Sequence, residues 1–169
     1  MAMNAGESGA VPRVACAPVL RSSAPALAAV RRVLFGVAAI ITVTSIIGPL
    51  AEQARAYQLS SLAYDLDWWV CHQLPSRSFW LFGRPLGVCI RCSGLYLGIL
   101  VGAALHATGW VVSRRSAAML VLSMLAHVSF QASTGMVIHP FRFMTGIMAG
   151  AGIWALLMSS ARKDAPFAT

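Results

Sequence analysis

Four long stretches of this chain contain no Asp, Glu, Lys or Arg: residues 33–51, 93–113, 116–138 and 143–161. Each is close to the roughly 20 residues a helix needs to cross a hydrocarbon core. A charge at the centre of such a helix costs roughly 2.5 to 3.5 kcal/mol, so four charge-free runs in one short chain mark spans. Of the 169 residues, 58% are hydrophobic and 11% charged, with a mean hydropathy of +0.72. An ordinary soluble domain carries about 25% charged residues. The sequence therefore predicts an all-α fold: a four-helix transmembrane bundle, with an interfacial helix in the loop between spans one and two.

The net charge of +8 does not imply nucleic acid. Its cations form no single patch with interleaved aromatics. Instead Arg31-Arg32, Arg114-Arg115 and Arg162-Lys163 flank the predicted spans, where topology signals belong. Those pairs share one side of a four-span protein, which places both termini in the cytoplasm and the chain in a cell (inner) membrane as a multi-pass protein. The bias is eight cations against five, since Arg55, Arg77, Arg84, Arg91 and Arg142 fall on the other side. Residues 1–30 are rich in Ala, Ser, Gly and Pro and read as a disordered tail that includes Cys16. The membrane domain covers residues 31–162, and residues 163–169 form a C-terminal tail. Ala54-Arg55-Ala56 resembles a cleavage site, but the first run is nearer a full span than a signal h-region, so it reads as an uncleaved anchor.

The polar loop before span two carries the chemistry. Between residues 57 and 73 there is no Gly or Pro, and Leu59, Leu62, Leu66, Trp69 and Val70 recur at helical spacing. This predicts an amphipathic helix with Trp68, Trp69 and Trp80 at the bilayer surface, the first part of an interfacial-helix and cysteine loop spanning 57–92. Pro75, Gly83, Pro85 and Gly87 then turn the chain toward span two. Cys71 and His72 thus fall near one helix end, and Cys89-Ile90-Arg91-Cys92 at another helix entrance. Two thiols three residues apart at a helix N-terminus lie one turn apart, and the helix dipole and Arg91 both favour thiolate. With Cys71 as a third sulfur the set suits a zinc-type metal site, whose fourth ligand is His72, His127 or His139. A disulfide between Cys89 and Cys92, or plain packing, is the competing reading of the same residues.

Inside the spans, His127, Gln131 and Thr134 lie at i, i+4 and i+7 and give span three a polar stripe. Interhelical hydrogen bonding accounts for Gln131 and Thr134, while His127 can also bind metal or carry protons. His106 reads as a packing residue, and Arg142 as an interface arginine. Gly94, Gly98 and Gly102, with Gly146 and Gly150, are small-xxx-small motifs that predict span two packed closely on span four.

Cys71-His72-Gln73, Arg77-Ser78-Phe79, the run Cys89–Gly98 and Arg142-x-x-Thr145-Gly146 together resemble the signature of domain-of-unknown-function family 2085. The resemblance covers roughly residues 57–150 and implies a small bacterial membrane protein without an established activity. The chain departs from that pattern at His127, where an acidic residue is usual, and at His139, where asparagine is common. Four spans with Cys-x-x-Cys at the mouth of span two are also similar to disulfide-generating, quinone-coupled membrane oxidoreductases, which carry a second cysteine pair that is absent here. A third alternative is an accessory or transport subunit with partner membrane chains.

Overall fold

The computed structural model describes residues 23–136 and 138–163. Its helices are α1 (Ser23–Gln53), α2 (Tyr57–Trp68), α3 (Ile90–Ala107), α4 (Arg114–Thr134) and α5 (His139–Lys163). Four of them are long and apolar enough to cross a membrane, over Pro25–Gln53, Ile90–Ala107, Arg114–Thr134 and His139–Ser159. A helix covers each of the four expected spans, with different ends. Residues 23–30, expected within the tail, are helical, while residues 1–22, including Cys16, and residues 164–169 lie outside the described part.

Local chemistry explains the shifted boundaries. The second span stops at Ala107, before Gly109 at a φ of 86°. The third starts where the Ser113 hydroxyl accepts the Ser116 N–H at 3.1 Å, an N-cap. It ends at Thr134, because Gly135 adopts the left-handed C-cap conformation. The fourth begins at His139, where Pro140 in the first turn forfeits an N–H that no helical carbonyl would have bonded.

The all-α expectation needs one correction. Ser78–Leu81 (β1) and Arg84–Cys89 (β2) form an antiparallel two-stranded hairpin. Phe82 and Gly83 make its two-residue turn with φ of 53° and 76°, the paired positive values of a tight hairpin turn. An aromatic residue is a poor signal for that conformation, so the sequence disclosed turns here but no strands.

The α3–α5 pair forms the centre of the bundle. The two helices run parallel in a constant register: Gly98 faces the Ile147 backbone and Gly150 faces Leu95 and Ile99. A side chain at either glycine would strike the opposite backbone, so the contact requires residues without Cβ. Ala38 of α1, Ile99 of α3 and Trp154 of α5 complete a buried cluster.

After a turn at Arg55, α2 doubles back along α1. Its buried face is Ser60, Ala63 and Asp67, while Leu59, Leu62 and Leu66 are exposed. The small and polar side faces the protein and the apolar side faces outward, the reverse of a soluble amphipathic helix. Ser60 Oγ donates to the Gly48 carbonyl at 3.0 Å, and Thr44 Oγ1 donates to Asp67 Oδ1 at 2.6 Å. The first bond holds the start of α2 and the second its far end, and so Cys71, against α1.

Candidate metal centre at the thiol cluster

Two segments converge on one point. The Cys71 N–H bonds the Asp67 carbonyl at 3.0 Å as the chain leaves α2. Cys89 ends β2 and occupies the N-cap of α3, which puts Cys92 one turn further on. The sulfurs of Cys71, Cys89 and Cys92 lie within 4.8 Å of one another, and the Cys89 N–H donates to Cys71 Sγ at 3.2 Å. Cys71 is buried with Ile41 and Val88, and Cys89, Cys92 and Tyr96 pack against that cluster. The cysteines thus occupy a largely apolar seat on a helix entrance.

A tetrahedral ion with metal–sulfur bonds near 2.3 Å holds its sulfurs about 3.8 Å apart. The observed spacing is compatible with that after a small contraction, and three soft donors match a borderline-soft ion, so the residues present fit the group. Cys89 is the thiol most prepared for it. Hydrogen bonds from the thiols of Cys71 and then Cys92 hold its pKa well below the usual thiol range, and the N–H groups of Cys92 and Arg91 add to this against the opposing effect of burial.

The imidazoles stand apart from this group. His72 is exposed, although it follows Cys71 in the chain. His127 Nδ1 lies 3.1 Å from Thr145 Oγ1, and its charged neighbours are Arg91 and Arg142. Among the described residues, neither is grouped with the three sulfurs, and neither is His139, which is exposed at the start of α5.

Two features escape sequence reasoning. The Asp67 side chain is 0% exposed, its Oδ2 has no hydrogen-bond partner, and a Cβ at Gly87 would collide with it. Burial raises its pKa from 3.8 to about 6, the Thr44 hydrogen bond opposes that rise, and Cys71 adds to it. The signal was the i, i+4 spacing of Asp67 and Cys71, which put an acid on the thiol face of the helix. The second is Arg142. It is only 7% exposed, a buried cation where the sequence suggested a plain interface arginine.

The profile of a family described as predicted membrane protein (DUF2085) matches residues 71–156. That segment starts at Cys71 and takes in the hairpin, α3, α4 and most of α5. An uncharacterized protein of Methanocaldococcus jannaschii is 40% identical over 58 residues, 34% of this chain and 37% of the relative. An uncharacterized protein of Methanothermobacter thermautotrophicus is 31% identical over 94 residues, 52% of this chain and 84% of the relative. Both relatives are archaeal, so the comparisons do not support the restriction to bacteria that the sequence resemblance implied. No solved structure matches the chain.

Proposed function

The chain belongs to the predicted membrane protein family DUF2085, and from that premise we propose that it carries a zinc-type metal centre at its membrane face, held by Cys71, Cys89 and Cys92. The observation that carries this reading is the mutual approach of the three sulfurs within 4.8 Å. Three thiols from two separated segments have no need to meet for packing alone. Hydrogen bonds from the other two thiols favour ionisation of Cys89, and Cys71 ties the end of α2 to the entrance of α3. His72 is the favoured fourth ligand. His127 is the weaker candidate, since the nearby Arg91 and Arg142 disfavour a further cation there. An ion so held supplies a cross-link and, where water keeps one position, Lewis acidity.

The centre sits on the non-cytoplasmic side in this reading, with both termini inside a cell membrane and the basic pairs at the inner surface. Its neighbour α2 is interfacial: Leu59, Leu62 and Leu66 point outward, and Trp69, 88% exposed, supplies an amphipathic ring at the headgroup level.

Metal analysis of the purified full chain tests the proposal. The expected result is about one zinc per chain for the wild type and near none for Cys89→Ser. A metal-free wild type purified without chelator overturns it. A second reading, thiol–disulfide exchange with a membrane quinone, is favoured by the thiolate character of Cys89 and by an apolar cleft beside β2 and α3 lined by Phe79, Leu86, Val88, Tyr96 and Phe143. There the Cys89 thiolate and the Cys92 thiol would pass two electrons and the Cys92 proton to a quinone, which takes its second proton from water, giving a disulfide and a quinol. Thiol counting on the same sample separates the two, because a disulfide removes two titratable thiols and leaves no tight metal site.

A further inference from the structure

The side of α3 away from the sulfurs meets a different problem. Arg91 lies in its first turn, Gln131 in the last turn of α4 and Arg142 in the first turn of α5. The Gln131 Oε1 accepts from Arg91 Nη2 at 2.5 Å and from Arg142 Nε at 3.1 Å. A guanidinium has no acceptor, so only this orientation of the amide is possible. It leaves the Gln131 Nε2 donor with nothing to bond. That nitrogen and Arg91 Nε are both buried without a hydrogen-bond partner. Arg142 is itself buried, and Arg77 is a further cation close enough to act on it.

Charge and donor counting therefore point the same way. Two guanidiniums share one neutral oxygen, and two further buried N–H donors face no acceptor. The ion pair found among the described residues is Arg84–Glu52, and no carboxylate pairs with Arg91 or Arg142. Beside Arg142 lie the cations Arg77 and Arg91 and the Cys89 sulfur. Buried cations persist at a membrane edge when something compensates them. Arginine forks and amide N–H donors are the groups that recognise a tetrahedral or planar oxyanion.

We propose that Arg91, Gln131 and Arg142 form an oxyanion-binding site for a phosphate group, independent of the metal centre and sharing with it the first turn of α3. The phosphate could belong to a soluble anion or to the headgroup of an anionic lipid, and the two sources are separable. Thermal unfolding of the full chain in a neutral detergent is followed with inorganic phosphate against chloride at equal ionic strength. It is then repeated in nanodiscs of phosphatidylglycerol against phosphatidylcholine. The variant for comparison is Gln131→Glu, which places a carboxylate between the two arginines and should be more stable than wild type without ligand. A wild-type Tm rise of about 3 °C or more with phosphate, absent in Gln131→Glu, supports a soluble oxyanion. The same rise with phosphatidylglycerol alone supports the lipid headgroup. No rise with either, or an equal rise in Gln131→Glu, overturns the site. Arg142→Gln serves as a second variant, expected to lose the ligand-induced rise while remaining foldable through loss of a buried charge.

Discussion

The two sides of α3's first turn make an instructive contrast. On one side Cys89 and Cys92 join Cys71 in a cluster that leans toward negative charge, with donors converging on the Cys89 sulfur. On the other, Arg91 joins Gln131 and Arg142 in a cluster with surplus donors and a single shared acceptor. One four-residue stretch thus feeds two clusters of opposite electrostatic character. A helix makes this possible because successive side chains diverge by about 100°, so residue 91 cannot share a face with both 89 and 92.

The largest perturbation removes both sides at once. Gly98→Leu drives a side chain into the Ile147 backbone and forces α3 from α5. A cost of roughly 3 kcal/mol or more is expected, with zinc content and phosphate response lost together. If either survives in the purified variant, the seam is not what aligns the two clusters. Next is Asp67, which bears on the thiol side alone. Its folded carboxyl holds a proton up to about pH 6, against 3.8 when free. The folded state therefore binds the proton more tightly, and stability is greatest below about pH 4 and declines as pH rises through 6. At roughly 1.4 kcal/mol per unit, the loss levels off near 3 kcal/mol. Asp67→Asn keeps an acceptor for Thr44 and cannot ionise, so it should exceed wild type by up to that amount at pH 8 and by little at pH 4. Denaturation at the two pH values checks this, and a variant less stable at pH 8 would mean that the site needs the carboxylate. The smallest effect belongs to Arg84→Ala. Its ion pair with Glu52 is 2.9 Å long, but the arginine side chain is 57% exposed. Solvent screening limits the change to about 0.5 kcal/mol or less, and neither cluster should respond.

Sequence patterning revealed elements whose physics is periodic or compositional. The charge-free runs located four helices, the small-xxx-small spacing paired α3 with α5, and soft-ligand spacing brought Cys71, Cys89 and Cys92 together. Features that depend on what lies opposite stayed hidden. The hairpin turns on Phe82, whose left-handed conformation is imposed by its strands and is not encoded by its residue type. Asp67 is an ordinary helix-end acid until Gly87 and Thr44 close over it. Arg142 reads as a plain interface arginine until Gln131 reaches it from α4. In α2 the apolar stripe was visible, but only the contacts with α1 show that the opposite stripe is the buried one.

The hairpin also governs when each cluster can come into being. Cys71 and Cys89 are 18 residues apart, with the tight turn between them, whereas Arg91 and Gln131 are separated by 40. A short closure costs less chain entropy than a long one. All three sulfurs lie in the chain before α4 begins, so a nascent protein holding only α1 to α3 already carries the complete thiol set. The guanidinium pair exists only after the last two helices have entered the bilayer, which makes it a marker of finished insertion.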